Sequence, residues 1–163
     1  MSKKLLVLSL LACGAVAEES VIQGTVQSKC IINTTTNGVY GNPNPSTLST
    51  DPSDGGVKPV IRFDVAIADY YIARISTPTS FSTSPTLTDT VAWDGSVSVS
   101  EVSDTQMAGY DAAKVTYDAT TEFDLTVAGT VWFEVSSTAD YGYNLAFPGG
   151  VYRAIVQAEC IAR

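Results

Sequence analysis

The chain has no histidine, only nine lysines and arginines, and three cysteines among its 163 residues. Each shortage removes a class of function. Without histidine there is no Ser-His-Asp or Cys-His centre, no histidine-ligated zinc and no proximal-histidine haem. Nine basic residues against seventeen acidic ones leave a formal net charge of −8. Nucleic-acid binding needs a Lys/Arg surface that displaces counterions, so no nucleic-acid partner is expected. Charged residues make up 16% of the chain, yet 45% is hydrophobic and 36 residues are serine or threonine. Low charge with abundant Ser, Thr and aromatics suits two-faced β-sheets, and the apolar content is too high for a disordered chain.

The first seventeen residues read as an export leader. Lys3 and Lys4 precede the apolar stretch Leu5 to Leu11, and Ala15-Val16-Ala17 has the small-x-small pattern of a cleavage site. The stretch is too short to span a bilayer permanently. A second reading takes Leu10-Leu11-Ala12-Cys13 as a lipobox, with Cys13 lipidated and anchored. Cleavage after Ala17 leaves 146 residues forming one domain, 18–163, with 17 acids, 7 bases and a net charge of −10. It also leaves two cysteines, Cys30 and Cys160, and an even number in an exported chain points to one disulfide.

Strand signals then follow one another between turn formers. In Val21 to Asn33, residues Val26, Ser28, Cys30 and Ile32 share one face. Residues 34–59 carry Asn37-Gly38, Asn42-Pro43-Asn44-Pro45, Asp51-Pro52 and Asp54-Gly55-Gly56, and read as a long loop or one hiding a short strand. Val60 to Ile67 and Tyr70 to Ile75 alternate, with a bulge or tight turn expected at Ala68-Asp69. Residues 76–89 are Ser/Thr/Pro-rich and read as loop or irregular edge. Thr90 to Trp93 and Val97 to Val102 flank Asp94-Gly95, which signals a hairpin. Asp104 caps a helical turn up to Lys114. Lys114 to Tyr117, Glu122 to Val127 and Thr130 to Ser136 follow, the last two joined by a tight Ala128-Gly129 hairpin. Val151 to Ala162 closes the chain as one long strand, with Tyr152, Ala154, Val156, Ala158 and Cys160 on one face. The first and last strands are expected to lie together or to face each other across the core, stapled at Cys30 and Cys160. About eight strands with almost no helix predict an all-β fold, an antiparallel β-sandwich.

No motif for catalysis stands out. There is no G-x-S-x-G, P-loop or G-x-G-x-x-G, and the serines lack a histidine base. The protein is accordingly read as a non-enzyme without cofactor or metal. Asp64, Asp69, Asp124 and Glu134 are the carboxylates to check for a glycosidase-type pair. Asp51 and Asp54, in the 34–59 loop, are the residues to check for calcium. The tyrosines, with Trp93 and Trp132, supply material for a sugar-stacking platform.

Two stretches carry a family resemblance. Gly24-Thr25-Val26 followed by Cys30 resembles the opening strand of bacterial fimbrial subunits and spore-coat-U-like pilins. Gly150-Val151-Tyr152-Arg153-Ala154-Ile155-Val156 is similar to their G-x-Y-x-A-x-V final strand. The resemblance implies an incomplete Ig-like sandwich of about 7–9 strands, completed by a donor strand from a neighbouring subunit. It also implies a periplasmic chaperone and an outer-membrane assembly protein as partners. The expected function is that of an exported structural subunit of a surface fibre or extracellular matrix, a homopolymer assembling through Val21, Ile22, Val26, Tyr152, Ala154, Val156 and Ala158. The alternative is an extracellular module that binds glycans or another ligand.

Overall fold

The computed structural model describes residues 21–24 and 29–163 of the chain. The expected leader, Cys13 and Val26 lie outside the described residues. The strands are β1 (Cys30–Thr36), β2 (Gly41–Asn44), β3 (Thr47–Ser49), β4 (Val60–Val65), β5 (Tyr71–Ser76), β6 (Phe81–Thr83) and β7 (Ala92–Val102). After a single helical segment come β8 (Val115–Tyr117), β9 (Thr120–Leu125), β10 (Gly129–Asp140), β11 (Arg153–Ala154) and β12 (Gln157–Ala162). All pairings are antiparallel.

Two sheets form the sandwich. In the first, the twelve-residue β10 is the central strand. Its first half pairs β4 on one side, its last residues pair β3 on that same path, and β7 runs along its other side. β1 continues this sheet beyond β4, and β2 beyond β3. The second sheet has the order β12-β5-β9-β8, and β11 pairs with β6 as a separate small ribbon.

The period-two pattern explains the layers. Ile61, Phe63 and Val65 of β4 and Val131, Phe133 and Val135 of β10 point inward, as do Ala73 and Ile75 of β5 and Phe123 and Leu125 of β9. Their neighbours Arg62, Asp64, Glu134, Arg74 and Glu122 point out and remain partly exposed. At the centre, Phe133 meets Phe63 edge-on at 5.4 Å between ring centroids and lies 4.4 Å from Phe123 of the opposite sheet. Such aromatic contacts across the layer fix how the two sheets are set against each other.

The disulfide joins the two sheets. Cys30 opens β1 in the first sheet and Cys160 lies in β12 of the second, with their Cα atoms 6.3 Å apart. The terminal strands therefore face each other across the core instead of pairing. The turn expected near Ala68-Asp69 is present, and Asp69 takes the left-handed conformation there (φ 58°) while the chain crosses from β4 to β5. Asp104 caps the helical segment: its carboxylate accepts the Gln106 N–H at 2.8 Å.

Several expectations are corrected. Asp94-Gly95 makes no hairpin: both residues continue β7, paired with Thr138 and Ser137 of β10. The glycine serves a close approach instead, because a Cβ there would lie 2.9 Å from the Thr77 side chain and from the Ser136 carbonyl oxygen. Ala128-Gly129 makes no hairpin either. β9 belongs to the second sheet and β10 to the first, so the connection crosses the sandwich. Gly129 has φ +147°, and a Cβ on it would meet Met107 and Ser103. The expected 151–162 strand is broken into β11 and β12, leaving Val151, Tyr152, Ile155 and Val156 outside regular strand. Val21 and Ile22 are extended from the fold, not part of a strand. The 34–59 and 76–89 segments hold the short strands β2, β3 and β6.

Candidate functional site

β1 and the last strand are locked together at Cys30 and Cys160 and then part. Four residues along each, at Thr34 and Val156, a groove of about 860 Å³ opens between the first sheet and the β6–β11 ribbon with its flanking segments. One wall is formed by Thr34, Tyr40 and Ile61, with Leu48 beneath them, and the other by Tyr152, Ala154, Ile155 and Val156. Pro59 and Pro78 also line it, and neither has a backbone N–H to donate.

Part of the rim is apolar and exposed. Val39, Val151 and Ile155 present their side chains to solvent beside the groove. Backbone at this place is available as well. Among the described residues β1 pairs only with β4, and β12 only with β5, so each has an outer edge with no strand beside it. An unpaired strand edge offers a row of N–H and C=O groups to any extended segment. The floor, by contrast, is tied down. Thr50 Oγ1 accepts the Ser137 N–H at 2.8 Å, and Ser137 Oγ hydrogen-bonds the Tyr40 hydroxyl at 2.9 Å. Burial pushes the Tyr40 hydroxyl above the usual tyrosine range, the Ser137 bond opposing this.

The expected assembly residues thus distribute unevenly. Tyr152, Ala154 and Val156 line the groove, whereas Ala158, in β12, packs against the main core. Val21 and Ile22 are 84% and 98% exposed and touch no wall of it. The sequence pattern did not reveal Tyr40 or Leu48 as groove residues, because 34–59 gives no strand period, and it placed Ile155 on the face opposite Tyr152 and Val156, an alternation that the break between β11 and β12 interrupts.

The candidate carboxylates are not brought to one place. Asp64 pairs with Arg62 at 2.7 Å and accepts the Thr130 hydroxyl at 2.9 Å, and Glu134 pairs with Lys58 at 3.2 Å, both on the outer face of the first sheet. Asp124 pairs with Arg163 on the second sheet, and Asp69 sits in the β4–β5 turn. Asp51 accepts the Ser53 N–H at 2.9 Å and its hydroxyl at 2.8 Å, which holds its carboxyl below the usual range. Those contacts cap the short helical turn Pro52–Asp54. Among the described residues no three Cys, Asp or Glu side chains gather as a metal site.

The aromatic residues divide into three groups. Tyr71, Tyr110 and Tyr141 are buried. Phe81 packs against Trp93 at 4.7 Å, Tyr152 at 5.1 Å and Phe147 at 5.9 Å, and Phe147 stacks on Tyr141 at 5.2 Å. These rings spend their faces and edges on one another, forming a second small core that supports the β6–β11 ribbon and the groove wall. Tyr143, Tyr117 and Tyr70 are exposed, Tyr143 by 93%. In comparisons with family models, curated proteins and solved structures, the chain matches none.

Proposed function

We propose that the protein is an exported structural subunit that assembles with copies of itself into a surface fibre or extracellular matrix. The groove receives an extended apolar segment of a neighbouring copy. The observation that carries this reading is the groove itself, a gap of mixed apolar and hydroxyl lining that starts beside two strands whose outer edges are unpaired among the described residues. A strand laid in it gains backbone hydrogen bonds and buries alternate side chains, the strand-addition mode of recognition. The segment around Val21 and Ile22 is the natural donor, since two exposed aliphatic side chains lose hydration on packing against Ile61, Leu48 and Val156. The resemblance of Gly24–Cys30 and Gly150–Val156 to fimbrial subunits supports the same reading, and with it the chaperone and outer-membrane assembly protein as partners.

The test is sedimentation velocity and negative-stain microscopy of the exported form. Concentration-dependent association or filaments are expected, and the double variant Val21→Asp/Ile22→Asp is expected to remain monomeric. A parent that stays a monodisperse monomer at every concentration and forms no filaments on native cells overturns the proposal.

A further inference from the structure

The longest sheet edge among the described residues is guarded. β7 spans eleven residues at the margin of the first sheet and, among the described residues, pairs only with β10. Alternate residues of an edge strand aim their N–H and C=O groups away from the sheet. Two of these outward groups are occupied by side chains. The Val99 N–H donates to both carboxylate oxygens of Asp111, at 3.1 Å each. Lys114 Nζ donates to the Val97 carbonyl oxygen at 2.7 Å and to Asp111 at 3.3 Å.

The guard is built on a rigid mount. Asp111 lies in the short helix α1 (Tyr110–Ala113), and Lys114 follows it directly. The preceding turn buries Met107 completely, and Tyr110 is buried with its hydroxyl accepting the Val127 N–H at 3.0 Å. The mutual ion pair orients both side chains toward the strand. A carboxylate and an ammonium thus stand where a neighbouring strand would place a carbonyl and an amide.

We infer that Asp111 and Lys114 close the β7 edge to a second copy of this chain. Without them, two copies would join β7 to β7, antiparallel, into one continuous sheet. Natural sheets block such edges with charges or covering elements, and this chain uses both at once. The inference rests on the assembly reading for its partner, a second copy, but its test does not.

The test uses the full exported chain carrying Val21→Asp/Ile22→Asp, which removes groove-dependent association. In that background Asp111→Ala/Lys114→Ala is expected to shift sedimentation from monomer to dimer as concentration rises. Hydrogen exchange should slow at the Val97 and Val99 amides in the dimer alone. A natively folded monomer at all concentrations overturns the inference, as does a dimer with no added protection at those amides. Asp111→Leu/Lys114→Met, which fills the same space and loses both charges, covers the case in which the double alanine variant does not fold. It too must dimerise through β7, and a folded, monomeric Asp111→Leu/Lys114→Met protein overturns the inference on its own.

Discussion

Removing the disulfide tests how the sandwich is held together. In Cys30→Ala/Cys160→Ala the bridge between β1 and β12 is lost, and with it a constraint on residues separated by 130 positions in the chain. Loop-closure entropy for such a span is worth about 5 kcal/mol, as an upper value. Ordinary domains have about 5–15 kcal/mol of net stability, so the loss is a large share of the total. The strands concerned increase the effect. Each has one neighbour among the described residues, and each packs only part of its cysteine against the core. The assay is urea unfolding followed by fluorescence of Trp93 and Trp132. The variant's midpoint should fall by an amount equivalent to several kcal/mol, and its m-value should rise because the untied denatured chain expands. Thermal unfolding should drop by roughly 10–20 °C. Native-state exchange should reach the Ala158–Ala162 amides before those of β10. A variant within about 1 kcal/mol of the parent, with unchanged m, would show that the sheets hold each other without the bridge.

Phe133→Ala empties the contact between Phe63 and Phe123 and should cost about 3–5 kcal/mol in urea unfolding, with the fold retained. Gly95→Val forces a Cβ against Thr77 and the Ser136 carbonyl and should cost about 1–3 kcal/mol, although valine is otherwise the better strand residue. Glu122 accepts the Tyr117 hydroxyl at 2.8 Å and the Arg74 guanidinium at 2.7 Å, and these hold its carboxyl below the usual range. A carboxyl lowered by folding adds stability above the ordinary glutamate range, and that contribution fades as pH falls through the range to the lowered value. Tyr117→Phe removes the leading cause, so parent and variant should differ in urea midpoint near neutrality and converge as pH falls below the ordinary glutamate range and through the lowered value.

The layers of the sandwich were legible in the sequence because inward and outward positions alternate without error in β4, β5, β9 and β10. One slip there would have turned Phe63 or Phe133 to solvent. Asp104 was legible as a cap because its side chain acts on the next residues along the chain. The two supposed hairpins were misread because a dipeptide reports local backbone freedom, not the reason for it. Gly95 answers to Thr77, eighteen residues earlier, and Gly129 answers to Met107 and Ser103. The cysteine pair was inferable from its even number in a chain read as exported, but the groove beside it was not. Its walls come from β1, from the β2–β3 region and from the broken 151–156 segment, and only packing brings these together.

The bridge between Cys30 and Cys160 has a mechanical consequence. A pull applied at Gly24 on one side and at Arg163 on the other enters β1 and β12 beside the two sulfurs. The covalent link carries that tension directly, and the 129 residues between the cysteines form a closed loop off the load path. Stretching the molecule along these ends extends only the short tails outside the loop, while β10 and the phenylalanine core bear no strain.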